Sequence, residues 1–245
     1  MGPAEVLLLG LAALLAWAWL RRRRRARGLP PGPTPWPVLG NFGFALLPPR
    51  LRRGSWLHRR AAGADAAVGP PRLLAGLARE YGSVFSFSLG PHLVVVLNDF
   101  RSVRQALVQQ AAVFSDRPRM PLVSLVTKEK VLQGYTIPKG TVVLPNLWSV
   151  HRDPAIWEEP DEFHPNRFLD DQGQLVKKEA FIPFGIGKRV CMGEQLAKME
   201  LFLMFASLIQ SFKFALPKDS ETPLLTGRYG LTLAPHPFNV IISKR

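Results

Sequence analysis

Residues 181–193 read FIPFGIGKRVCMG and hold Cys191, the only cysteine of this 245-residue chain. Five positions fit the spacing F-x-x-G-x-R-x-C-x-G: Phe184, Gly187, Arg189, Cys191 and Gly193. Ordinary residue frequencies give such a match in about one chain in ten thousand or fewer, so the five are read together. Taken alone, a cysteine beside a glycine-rich turn is a buried free thiol that behaves as a small hydrophobe. The loop runs directly into an apolar stretch, residues 194–212, of helical length and without a breaker, which sets the thiol before a helix N-terminus.

The pattern resembles the haem-thiolate loop of the cytochrome P450 monooxygenases. That resemblance implies that Cys191 is the axial ligand of the iron of haem b, where a thiolate pushes electron density onto the metal. The positive end of the following helix and nearby amides favour the ionised sulfur. Gly187 and Gly193 lack a Cβ, so the backbone can fold closely around the sulfur. Arg189 offers a planar charged fork to a haem propionate, and Phe184 is expected to shield the sulfur from water.

Net charge is +14 and 47% of residues are hydrophobic, enough for a sizeable core. One cysteine excludes an internal disulfide and any multi-thiolate metal cluster. The charge is concentrated: residues 1–60 carry eleven arginines against one acid, Glu5. No basic stripe interleaved with aromatics follows, so nucleic acid is not the expected partner.

Residues 6–20 form an unbroken apolar run followed at once by five arginines, residues 21–25. A cleaved secretory signal carries its positive charge before the apolar run, not after it. The order fits an uncleaved signal anchor with the body on the cytosolic side of the endoplasmic reticulum membrane. An arginine-rich, acid-poor mitochondrial presequence, with a mitochondrial membrane as destination, is the competing reading. Residues 29–40, LPPGPTPWPVLG, read as a stiff extended spacer lifting the body off the bilayer. Residues 41–68 are rich in Arg, Ala and Gly without periodicity and read as a disordered insertion.

Beyond Pro70 the expected order is a helix over 71–81 closed by Gly82, strands over 84–89 and 93–97 joined at Gly90-Pro91, and a helix capped by Asp99. With the FSDRP of residues 114–118 this order resembles the front of a family-2 cytochrome P450. The resemblance implies a second propionate contact at Arg117, with a solvated loop arginine as the alternative. From Val131 onward the chain resembles elements that come late in the family. A strand–turn–strand is expected over 135–144, a short helix over 146–151, and then a meander containing Arg167. The helix over 196–212 reads as a buried central helix that would expose its surface if it stood alone. A terminal hairpin over 228–242 follows, whose tip, Leu231 and Thr232, would line a substrate pocket.

The implied organisation is an anchor and basic stop (1–28), a hinge and insertion (29–69), and two segments (70–130 and 131–245) meeting near Lys130–Val131. The implied fold class is α+β, a partial cytochrome P450 fold, mostly helical with small sheets, behind an N-terminal membrane anchor. Subfamily U of family 2 is the most similar, which implies a long-chain fatty-acid substrate and electrons from NADPH through a membrane-bound reductase. Two family features are missing. No glutamate begins an E-x-x-R, and no [AG]-G-x-[DE]-T is present, Ala62 to Ala66 (AGADA) lacking the threonine. Arg167 is therefore expected to lose its partners and move to solvent. Little or no monooxygenase activity is expected, the alternative being a non-catalytic membrane-anchored fragment that binds haem or reductase at most.

Overall fold

The structure, a computed structural model, describes residues 2, 5–6, 9–10, 13–14, 16–17, 28–35, 40–41, 70–90, 92–115, 125–126, 130–218, 220, 227–229 and 232–245. Most of the expected anchor and insertion, with Arg117 and Leu231, lies outside them. The described positions between 5 and 17 are helical and exposed. Among the described residues no helix is long and apolar enough to cross a membrane.

In chain order the elements are α1 (Pro70–Tyr81), β1 (Val84–Leu89), β2 (His92–Leu97), α2 (Phe100–Arg104), β3 (Leu125–Val126), β4 (Lys130–Leu132), β5 (Tyr135–Ile137), β6 (Val142–Pro145), α3 (Leu147–Val150), α4 (Glu194–Ser211), β7 (Phe212–Ala215), β8 (Gly227–Tyr229), β9 (Leu233–Pro235) and β10 (Ile241–Lys244). Helix α1 ends as expected at Gly82, whose φ of 98° suits a residue without a Cβ and whose N–H donates to the Ala78 carbonyl at 2.9 Å. Asp99 caps α2 by accepting from the Ser102 N–H at 2.7 Å. A π-helical turn, Gln105–Gln109, extends α2.

One four-stranded sheet organises the body, in the order β1-β2-β6-β3. Strand alternation divides its side chains between two clusters. Val94 and Val96 pack with Leu74 and Leu77 of α1 and Phe85. Val95 and Leu97 face the other way, against Val103, Leu107, Phe114, Val143, Val150 and Ile182. Strand β2 pairs antiparallel with β1, and β6 joins its other side in parallel, Val94 opposite Val142. Residues from either side of position 130 thus share one sheet and one core.

The expected strand–turn–strand over 135–144 is corrected in its pairing. Strand β5 folds back on β4 across Gln133 and Gly134, both at positive φ (49° and 82°), while β6 enters the main sheet. Burial decides this, because Val142 and Val143 contribute to opposite clusters and β6 needs cover on both faces.

The proline-rich stretch is not a free spacer. Pro30 is buried, and Ser86 donates from its hydroxyl to the Pro30 carbonyl (2.7 Å) and from its N–H to the Pro31 carbonyl (2.8 Å). Asn41 completes the strap: its N–H donates to the Ser88 carbonyl and its Oδ1 accepts the Ser88 N–H at 2.6 Å. Strand β1 is an edge strand, and its unpaired backbone groups are what the strap satisfies. A Cβ on Gly32 would overlap the Ser86 carbonyl oxygen, so only glycine allows this approach.

Helix α4 leaves the body bare on every side. Phe202 is 71% exposed and Phe205 69%, so among the described residues nothing covers the surface that read as a buried centre. At its far end β7 pairs with β10, and β8 with β9. Residues 228–242 are therefore not one hairpin, because β10 turns back to β7.

Candidate functional site

The loop over 181–193 is fastened to the body at two points. The buried Ile182 donates its N–H to Nε2 of His151 at 2.9 Å. Five residues on, Gly187 (φ 69°) lies so close to the Leu107 carbonyl that a Cβ would overlap it. Between them Gly185 (φ 79°) turns the chain, its N–H donating to the Ile182 carbonyl at 2.9 Å.

From Gly187 the chain makes one 3₁₀ turn, Gly187–Arg189. Cys191 then donates its N–H back to the Phe184 carbonyl at 2.8 Å, closing the loop. Gly193 begins α4, its carbonyl accepting the Ala197 N–H at 2.9 Å. Cys191 is a free, exposed thiol just before this 18-residue helix.

Phe184, Gly187, Arg189, Cys191 and Gly193 are therefore brought together in one loop. Arg189 is half-buried two residues from the thiol. The expected shielding by Phe184 is not realised. Cys191 is exposed, and the half-buried Phe184 ring has the Lys198 Nζ 6.0 Å from its centroid. Lys198 in turn pairs with Glu194 at 2.6 Å. Beside the loop lies a cleft of about 410 Å³ bounded by Phe100, Arg104, Val108, Phe184, Glu194 and Lys198. Thr232 is exposed and sits between β8 and β9, in a separate two-stranded sheet.

Two residues carry weight that the sequence did not reveal. His151 supports the loop from beneath, its ring 5.8 Å from Phe181 and 6.5 Å from Trp157. Burial lowers its pKa below the usual 6.5, against a hydrogen bond to the Leu147 backbone that raises it; the Arg152 charge adds to the lowering. Nε2 is thereby kept as an acceptor for Ile182. No motif announces this role.

Arg167 is the second, and the expectation that it moves to solvent is corrected. Its guanidinium donates to four backbone carbonyls, those of Glu158 (2.7 Å), His164 (2.9 Å), Glu159 (3.1 Å) and Glu162 (3.1 Å). The forked donor geometry lets neutral carbonyls of its own meander replace a carboxylate partner.

Chemically, a cysteine sulfur can serve as a soft ligand for iron and a guanidinium can pair with an acidic group. A model of the family described as Cytochrome P450 matches residues 30–129 and again 124–242. The chain is 37% identical over 509 residues to cytochrome P450 2U1 of Homo sapiens, covering 98% of this chain and 93% of that protein. It is 35% identical over 509 residues to cytochrome P450 2U1 of Bos taurus, with the same coverage. A chain of 245 residues cannot fill 509 positions, so more than half of each alignment faces a gap. A solved zebra fish cytochrome P450 with abiraterone is 42% identical over 51% of this chain and 28% of that one, with a TM-score of 0.45.

Proposed function

The chain belongs to the cytochrome P450 family, whose cofactor is haem b held by a cysteine thiolate, and from that premise we propose that it carries the proximal half of a haem-thiolate monooxygenase site. The observation that carries this reading is the exposed, free Cys191 in a glycine-turned loop at the start of α4. The residues present suit the group. Cys191 would supply the axial sulfur, Arg189 would pair with a propionate, with Arg117 as a second propionate contact, and Gly187 and Gly193 would let the backbone fold closely around the sulfur. When bound, haem supplies oxygen activation, and the reading for this lineage is NADPH-dependent hydroxylation of long-chain fatty acids with electrons from a membrane-bound reductase. The resemblance to subfamily U of family 2 is what suggests that substrate class.

The chain's own residues do less than such turnover asks. The sequence holds no [AG]-G-x-[DE]-T to deliver protons opposite the thiolate, and the exposure of Cys191 leaves water free to reach it. Loss of a proton relay alone costs a factor of about 10² to 10⁴ in rate, roughly 3 to 5 kcal/mol of barrier. Turnover is therefore strongly impaired. The second reading, a non-catalytic membrane-anchored fragment that binds haem or reductase at most, is favoured by that same missing motif.

The reading extends to organisation. The two stretches matched by the family model, 30–129 and 124–242, support two segments joined near Lys130–Val131. The apolar run 6–20 before five arginines supports a signal anchor in the endoplasmic reticulum, with a mitochondrial membrane as second choice.

The test is the spectrum of the reduced, full-length protein with carbon monoxide, followed by reconstitution with reductase and NADPH. A thiolate-specific band that Cys191→Ser abolishes, without fatty-acid product, is the expected result. A band unchanged in the serine variant overturns the axial assignment. Stoichiometric hydroxylated product that disappears with Cys191→Ser overturns the impairment.

A further inference from the structure

We infer that His151 is a positioning residue for Cys191: it fixes the near end of the loop that carries the thiol, and through the loop's own backbone bonds it holds the sulfur in place for iron. The part played by iron rests on the haem-thiolate reading above, the hold on the loop does not. Of the thirteen residues from 181 to 193 only Ile182 is buried. At that end the loop is held by one apolar side chain and one polar contact, the Ile182 N–H donating to His151 Nε2 at 2.9 Å. The other seat, Gly187 against the Leu107 carbonyl, has no side chain to lock it.

From Ile182 two backbone bonds lead to the thiol. The Ile182 carbonyl accepts the Gly185 N–H at 2.9 Å, and Phe184 lies inside the turn so closed. The Phe184 carbonyl accepts the Cys191 N–H at 2.8 Å. A shift of Ile182 therefore moves Phe184 and, with it, the partner of Cys191. His151 is itself held from several sides. Its N–H donates to the Leu147 carbonyl at 3.1 Å, and the Trp157 indole N–H donates to the Val150 carbonyl at 2.9 Å. The rings of His151, Trp157, Phe168 and Phe181 close a circuit, with successive centroids 6.5, 5.9, 5.1 and 5.8 Å apart. A ring packed in this way has little rotamer freedom, so Nε2 is aimed at the loop whether or not a metal is present. Removing a group that orients a metal ligand from behind lowers metal affinity about 10- to 100-fold.

The test compares the full chain with two variants. His151→Phe keeps a ring in the circuit and removes the acceptor, whereas His151→Gln offers a side-chain oxygen that can accept the same N–H. Deuterium uptake is first read without haem, on peptides covering residues 183–192 and on peptides covering β2. Loop exchange in the Phe variant should quicken about tenfold, the 1.4 kcal/mol of one lost hydrogen bond, with β2 unchanged and the Gln variant exchanging like the native chain. Haem is then added, and the reduced proteins are compared under carbon monoxide. The thiolate-specific band of the Phe variant should fall to about a tenth of the native one or less, and return in the Gln variant. Unchanged loop exchange in the Phe variant overturns the inference, as does an equal quickening of β2, which would make His151 a general support of the fold. A band of native strength in the Phe variant overturns the link to the ligand. A native chain with the expected exchange pattern but no band overturns the haem reading, and supports the hold of His151 on Cys191.

Discussion

The backbone N–H of Ile182 donates to Nε2 of His151 across 2.9 Å, joining the cysteine loop to the end of α3. The bond exists only while Nε2 is unprotonated. Burial, the chief cause, lowers the His151 pKa from 6.5, so the folded protein holds the neutral ring more firmly than the unfolded chain does. The unfolded state therefore takes up the proton first. The stability this bond contributes is present above pH 6.5 and is lost as pH falls below it towards the lowered folded-state value. Denaturant midpoints measured against pH should fall on the acid side in the native protein and stay flatter in His151→Phe. An equal acid slope in both would show that His151 is not the group responsible.

Gly187 and Gly193 make opposite demands on a methyl group. At Gly187 a Cβ would overlap the Leu107 carbonyl and φ is 69°; at Gly193 nothing lies within 4 Å of the added atom. Gly187→Ala should cost about 3 kcal/mol or more through strain and displacement of the loop. Gly193→Ala should remain within about 0.5 kcal/mol of the native protein. Urea titration of both variants distinguishes them, and equal midpoints would refute the claim of a tight seat at Gly187.

Arg167→Lys tests whether the meander depends on a fork or on a charge. Lysine keeps the charge but cannot reach four carbonyls together. A loss of about 2 kcal/mol is expected, close to that of Arg167→Ala, together with faster amide exchange over residues 158–168. Full retention of stability by the lysine variant would make the hydrogen-bond fork irrelevant.

What was legible in the sequence was local. The bounds of α1, the turn at Gly90, the Asp99 cap and the start of α4 each follow from residues within a few positions of one another. The cysteine loop was legible for the same reason, since its five residues span ten positions. The strap on β1, the parallel entry of β6 and the two anchors at His151 and Arg167 were not legible. The first three join backbone groups to distant partners, and even for Arg167, whose carbonyls lie within nine positions, a carbonyl or N–H leaves no mark in the amino-acid code. The missing E-x-x-R pointed to a stranded arginine because a carboxylate partner can be read from sequence, whereas four carbonyls cannot.

Gly32→Ala probes the strap directly. The added methyl would overlap the Ser86 carbonyl, so the segment should lift and free the edge of β1. Faster proteolysis after residues 28–35 and a greater tendency to aggregate are the expected signs. Unchanged proteolysis would show that the strap is not held as described.

The strap also orders events on the ribosome. Gly28 to Pro35 is made before either of its partners, since Ser86 lies 56 positions after Pro30 and Thr136, whose N–H donates to the Gly28 carbonyl at 2.8 Å, is translated last. At about 5–20 residues per second the strap waits roughly 5–20 s between its own emergence and that of Thr136. When β1 forms, its cover is already in place, and the nascent sheet never presents a naked edge to a neighbouring chain. Among the described residues no earlier segment covers helix α4, so the hazards of synthesis fall on the last quarter of the polypeptide.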